Sequence, residues 1–577
     1  MRLITAALVA ATLAAPESSE PGIPAPDHPA RVSASAPSRG AAAPPLTPRD
    51  SAFHLLSRFA YGAGPGDLEA VSREGALTWL DRQTAARPGS DRALAERERR
   101  FPLLDRSVAD LARDYQAMQS ARLEVRRNQP AMADSNAPPR PTEAGRAFRA
   151  QLAQLPNLTL VRARYAESQV LEVMTDFWFN HFNVFAGKNL VQVYLPDYLE
   201  HAIRPNALGR FEDLLVATAR HPAMLVYLDN ALSVTPGARP PELERLEALR
   251  RRAATRRPGR RTPPASSRLD SAMARLEERM PSGLNENYAR ELLELHTLGV
   301  DGGYTQDDVV NVARILTGWS IDRRGRRGDG PGTFVFNEWA HDRKAKTVLG
   351  RPFPAGRGED EGVALLRMLA RHPATMHHVA AKLCARFVAD AAPDGCIDDV
   401  VRAWRATDGD IGAMLRAIAR SPDFWAPTAI AGKVKTPFEF VASAARALGA
   451  APDTGRTLAG AVSRLGQPLF QQSVPTGYPE TQEDWVNSGA LLNRMNFAVA
   501  LAGGRLPGLA VDLDGILPAS LAGPALIDAI DRDLLGGRMT ANTRAVIARE
   551  TAAVPDRARA RALAVGLALG GPEFQRQ

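Results

Sequence analysis

Cysteine is almost missing from this chain, with Cys384 and Cys396 the two in 577 residues. A multi-bridge disulfide scaffold and a four-thiolate zinc site are therefore excluded, because both need more sulfur than is present. In an oxidising compartment the pair can still close a short loop, since it brackets a stretch ending A-D-A-A-P-D-G where the chain can turn back. Two free buried thiols are the alternative. Long apolar runs are also lacking, so nothing beyond the N-terminus offers the roughly 18 residues that a membrane-spanning helix needs. Catalytic signatures are scarce in the same way. The chain has no G-x-S-x-G elbow, no G-x-x-x-x-G-K-S/T loop, no dinucleotide fingerprint after a strand and no H-E-x-x-H. Serine-elbow hydrolysis, nucleotide chemistry and zincin-type proteolysis lose their usual support.

What is present is ordinary globular material, 45% hydrophobic and 24% charged, long enough for two or three domain-sized units. Residues 1–15 carry one basic residue, Arg2, then about a dozen apolar or small residues, which fits a secretory signal. Residues 16–48 are rich in Pro, Ala and Ser without periodicity, as expected of a disordered linker. A soluble exported protein, periplasmic, envelope-bound or extracellular, is the expectation. The formal net charge is +8, of which residues 232–281 supply +6 through 12 Arg against 6 acidic residues. That segment reads as a disordered Arg-rich insertion. It lacks the aromatic residues of a nucleic-acid stacking platform, so no specific nucleic-acid partner is expected, while contact with an anionic partner stays open.

Elsewhere helical periodicity dominates, and the predicted fold is all-α: many helices packed in a bundle-like or orthogonal manner, with at most a minor β-hairpin. The best strand signals are 333–336 and 346–349, read as that hairpin. A recurring junction, A-R-H-P at 219–222 and 370–373 and A-R-S-P at 419–422, follows an apolar helix each time and is expected to start another. Pro suits a first helical turn and the preceding His or Ser can cap it. His221 and His372 are thus read as structural caps. The helical blocks are 47–230, 282–321, 334–426 and 433–577.

Several stretches then resemble a known bacterial family. They are H-L-L-S-R-F-A-Y-G-A at 54–63, F-W-F-N-H-F at 177–182, H-P-A-M-L-V-Y-L-D-N at 221–230 and N-E-N-Y-A-R-E-L-L-E-L-H-T-L-G at 285–299. H-D at 341–342, K-V-K-T-P-F-E-F at 433–440 and G-P-E-F-Q at 571–575 complete the set. In order and in spacing these are similar to the family called domain of unknown function 1800, over nearly everything from residue 49 onward. The resemblance implies an exported, largely helical protein of no assigned activity, encoded in many cases beside a sulfatase-like exported protein that is the natural candidate partner. The resemblance leaves cofactors open.

Two polar patterns carry the chemistry. Glu286, Arg290 and Glu294 recur at i, i+4 and i+8, and Asn287 and Glu291 widen that face, while His296 points with the leucines. Gln169, Glu172, Asp176 and Asn180 form a second stripe, running toward His181 between Asn180 and Asn183. The two faces could meet, an arrangement that would place Glu286 and Glu291 as acid and base around His181, supported by Asn180, Asn287 and Arg290. Such a cluster could run acid–base hydrolysis, could hold a metal through His181 and Glu291, or could be a satisfied structural network. The Glu294 to His296 spacing of two does not match the E-x-x-H of di-iron bundles. His341-Asp342, near Lys344 and Lys346, is a further loop candidate, with a local hydrogen bond as its simpler reading. An aromatic, turn-rich segment around Tyr478 and Trp485 could line a carbohydrate-type groove or simply cap the last helices.

Overall fold

Helix starts follow the punctuation of the sequence. Thr47, Thr305 and Thr436 each accept a hydrogen bond from the backbone N–H three residues on, and Asp50, Asp308 and Glu439 reach back, forming capping boxes. His221 and His372 cap the Pro222–Tyr227 and Pro373–Phe387 helices by accepting from Ala223 N and Ala374 N. The third junction differs: after Ser421 the chain runs into successive turns rather than a helix. The computed structural model describes residues 46–127, 142–188, 190–255, 264–278, 283–322, 325, 331–452 and 454–577. The expected signal at 1–15, and the linker up to residue 45, lie outside the described residues.

Helices dominate, and three two-stranded antiparallel sheets are the strands found among the described residues. The two strand segments foreseen from sequence do not pair with each other. Phe334–Phe336 pairs with Trp319–Ile321, and Lys346–Val348 with Arg351–Phe353. The second hairpin turns at Leu349 and Gly350, both with positive φ (49° and 75°), the conformation whose twist matches a two-residue hairpin loop. That local turn takes the partner the sequence assigned elsewhere.

The Arg-rich insertion is helical over much of its described part. Where disorder was expected over 232–281, the described part contains two helices, Pro241–Thr255 and Pro264–Glu278, packed on each other. Pro241 sits at the first turn with Glu242 and Glu244, and the Leu, Glu, Arg and Ala that follow are good helix formers, so charge did not prevent a helix. Leu243 and Met273 are its buried apolar side chains among those described, with Leu246, Leu269 and Leu276 half-buried.

From residue 46 onward the chain forms one unit, with a continuous apolar core from Ala52 to Phe574. At its centre lies the Gln169–His181 helix, whose Trp178 and Phe177 are buried and whose neighbours Phe182, Phe211 and Trp404 extend the aromatic layer. Cys384 and Cys396 form a disulfide joining the Pro373–Phe387 and Asp394–Thr407 helices, with Cα atoms 6.1 Å apart. No helix among the described residues is long and apolar enough to cross a membrane.

Candidate functional site

The Gln169–His181 helix cannot be wrapped in apolar side chains on every side, because Glu172, Asp176 and Asn180 return on one face every four residues. That face borders a narrow cavity of about 50 Å³, room for a few waters. Opposite stand Arg386 from the Pro373–Phe387 helix and Glu439 from the Pro437–Ala447 helix, with Tyr478, Pro479 and Glu480 as its cover.

Most charges around the cavity are committed. Glu172 accepts from Arg204 at 2.6 and 3.2 Å. Arg162, almost wholly buried, donates to Glu200 at 2.5 and 2.9 Å and to Glu98 at 2.7 Å. Glu439 pairs with Arg386 and accepts from Thr436 N at 2.7 Å and Gln577 Nε2 at 2.9 Å. Burial alone would raise its pKa, but Arg386 and these donors hold it at about 2. Asp176 stands apart. It makes no hydrogen bond or ion pair with a described residue, and its remaining surface faces the cavity. Burial, against the pull of Arg386 and with the repulsion of Glu480 and Glu439, pushes its carboxyl up to about 7. Glu480 is loosely held, 3.4 Å from Asn180 Nδ2 and 3.8 Å from Arg386 Nε. Two carboxyls of one cavity, Asp176 and Glu439, are therefore driven in opposite directions by their surroundings, while a third, Glu480, stays weakly bound.

The cover is an irregular segment running from Gly466 to the short Gln482–Trp485 helix. Asn180 pins it by a two-way bond, donating to Tyr478 O at 2.8 Å and accepting from Tyr478 N at 2.6 Å. Asn183 donates to Gln472 O at 3.1 Å and Val474 O at 2.8 Å. Gly477 (φ 76°) lies so close that a Cβ there would come within 2.3 Å of Asn180 O. At the far end Gln482 N donates to Asp390 Oδ2 at 2.9 Å, and Lys433 joins Asp390 to Glu480 O. The aromatic segment around Tyr478 thus lines the cavity and is tied to the end of the Gln169–His181 helix.

The residues singled out from sequence are dispersed. His181 is buried with its Nε2 3.2 Å from His296 O, against Phe182, His296 and His378 and on the side of the helix away from the cavity lining. Burial, with Lys382 nearby, drives its pKa well down. Asn180 does line the cavity, as the loop anchor described above. Glu286 and Arg290 are on the surface, 3.7 Å apart and bridged by Gln306, which donates to Glu286 at 2.7 Å and accepts from Arg290 at 2.9 Å. Asn287 reaches Leu228 O. Glu291 is half-buried near Glu294, burial and that like charge raising its pKa. Glu294 turns away to accept from Tyr304 Oη at 3.3 Å, because Leu292–Thr297 widens into a π-helical turn that breaks the i+4 register. The two polar faces thus do not meet. Among the described residues no three His, Cys, Asp or Glu side chains are grouped to hold a metal.

His341 and Asp342 lie elsewhere and do not form a dyad. Arg314 donates to Asp342 at 2.8 Å, while His341 Nδ1 is 2.9 Å from Thr317 O. His341 Nε2 is 3.3 Å from Glu361 Oε2, a close approach without hydrogen-bond alignment, and Lys346 Nζ donates to that oxygen at 2.7 Å. All three side chains are buried, which makes this a structural charge cluster under the Lys346–Val348 hairpin. Sequence reasoning passed over Arg386, Glu439 and Glu480. Asp176 had a visible signal, its place in the stripe, and Glu439 another, as the third residue of a Thr-capped helix.

The chain belongs to the family described as "Protein of unknown function (DUF1800)", whose model matches residues 54–576. No curated protein and no solved structure matches the chain.

Proposed function

We propose that this family member is an exported acid–base hydrolase whose centre is the cavity under the 466–485 segment. Asp176 acts as the proton donor to a leaving-group oxygen, and Glu480 receives a proton from the attacking water. One observation carries this reading: Asp176 is the single cavity carboxyl without a partner among the described residues, and its pKa of about 7 leaves roughly half of it protonated at neutral pH. Because the cavity has room for only a few waters, substrate entry requires the 466–485 cover to lift. Export is supported by the character of residues 1–15 and by the Cys384–Cys396 bridge.

The test is a panel of chromogenic glycosides and esters assayed with the wild-type protein, Asp176→Asn and Glu480→Gln. A general acid contributes about 10²- to 10⁴-fold, so turnover by the wild type should fall by at least the lower figure in Asp176→Asn, with an alkaline limb near pH 7 in the wild type alone. Turnover that survives both substitutions would remove the reading.

A second reading, a helical scaffold or accessory protein of the envelope that partners a sulfatase-like exported protein, draws on the Arg-rich Pro241–Thr255 and Pro264–Glu278 pair. Deleting that pair should then abolish partner capture while leaving Asp176-dependent turnover intact.

A further inference from the structure

The last helices leave a second opening, far simpler in chemistry than the cavity. Gly523–Leu534, Ala541–Ala552 and Arg557–Gly570 border a groove of about 560 Å³, within the range of small-molecule sites. Its floor and walls include Leu526, Ile527, Ala548 and Ala552; the alanines are too short to fill the space between the helices. Three arginines also line it, and they are not equivalent. Arg544 is neutralised by Asp528 at 2.5 Å and Asp531 at 3.0 Å. Arg557 donates to Ser520 O at 2.7 Å, and no carboxylate is paired with it among the described residues. Arg561 is 6% exposed. Its Nη atoms donate to Pro518 O at 2.8 Å and Leu513 O at 3.1 Å, and its Nε is buried without a partner. Its one carboxylate, Asp514 at 3.5 Å, is 69% exposed and so screened by water.

An apolar groove thus carries one uncompensated, partly desolvated cationic end, built from two arginines one helical turn apart. Backbone carbonyls fix both guanidinium groups but leave their charge unmatched. We propose that this groove binds a free anionic amphiphile, a carboxylate with an unbranched alkyl chain: the chain covers Leu526, Ile527 and the alanines, and the carboxylate meets Arg557 and Arg561. Carboxylate rather than ammonium follows from the sign of the charge, and the alkyl body from the apolar lining.

Isothermal titration of the full chain with decanoate, below its micelle concentration, tests this against decyltrimethylammonium, which has the same tail and opposite charge. Decanoate should bind with one site and the ammonium compound at least about tenfold more weakly, the size of one charge-assisted hydrogen bond. Ala552→Trp, on an exposed helix end, fills the groove and should abolish binding with no change in helical circular dichroism; Arg557→Gln should weaken decanoate about tenfold and leave the ammonium compound unaffected. Decanoate binding that ignores Ala552→Trp, or equal affinity for the two tails, overturns the proposal. So does concentration-dependent dimerisation or sedimentation with phosphatidylglycerol vesicles that Ala552→Trp removes, since a second copy or a bilayer would then be the occupant.

Discussion

The Gln169–His181 helix and the Asn287–Thr297 segment carry the same kind of polar stripe, yet one borders a cavity and the other faces water. Both place carboxylates at helical spacing on an otherwise apolar element. The difference lies in what stands across from them. Arg386, Glu439 and Arg204 enclose the first stripe, so each charge there is paired, desolvated or displaced in pKa. Across from Glu286 and Arg290 stands Gln306, on a helix that is itself exposed at that point, and the two keep about two-fifths of their side-chain surface. Amphipathic spacing therefore identifies a face but not its environment. The energetic scale separates them: a buried ion pair broken on one side costs about 3–5 kcal/mol, an exposed one less than about 1 kcal/mol.

The largest effect should come from Arg386→Ala. It strands Glu439 and removes the one cation drawing on Asp176, so a loss of about 3–5 kcal/mol in urea unfolding is expected. A loss under about 1 kcal/mol would put the cavity in the same class as the surface stripe. Next is the pH dependence of Asp176. Its folded-state value, about 7, lies above its ordinary 3.8, so the folded protein holds this proton more tightly than the unfolded chain. The stabilisation is complete below about pH 4 and is lost as pH rises through 7, amounting to a few kcal/mol at about 1.4 kcal/mol per unit. Relative to Asp176→Asn, wild-type stability should thus fall between pH 4.5 and pH 8; an offset equal at both pH values would mean that Asp176 is not desolvated. Gly477→Ala should be smaller again, about 1–2 kcal/mol, because the added methyl would collide with Asn180 O in a backbone already at positive φ. Hydrogen exchange should locate that loss in residues 466–485 rather than in the core.

Much of the fold is legible in the chain. Thr-x-x-Asp/Glu and His-Pro signals mark helix starts, and the stripe from Gln169 to Asn180 is visible by counting. What stays hidden is pairing over distance. Arg386 lies more than 200 residues from Asp176, on a helix whose sequence around Cys384 shows no polar pattern, and long-range partners leave no mark in a single chain. The π-helical turn at Leu292–Thr297 is hidden in a similar way, since L-L-E-L-H-T reads as plain α-helix until the packing of Thr297 Oγ1, which donates to Leu292 O at 2.6 Å, is seen. The hairpin error at 333–349 has a local cause, the undervalued Leu349-Gly350 turn. Fold class came from periodicity; the site came from tertiary partners.

The smallest predicted effect is also the sharpest on the comparison. Glu286 is exposed, its ion pair with Arg290 is 3.7 Å long, and Gln306 can donate to an amide oxygen as well as to a carboxylate. Glu286→Gln should therefore change stability by less than about 0.5 kcal/mol and leave any Asp176-dependent turnover at its wild-type level. If the substitution instead lowered turnover by tenfold or more without changing the melting temperature, the exposed ladder would be a second functional face. The division between enclosed and solvated stripes would then fail at the place where the sequence first drew attention. Adding salt separates a weak pair from a working one: at 1 M ionic strength the Debye length shrinks to about 3 Å, so a merely superficial contribution of Glu286 should vanish, whereas the stability difference at Arg386 should persist.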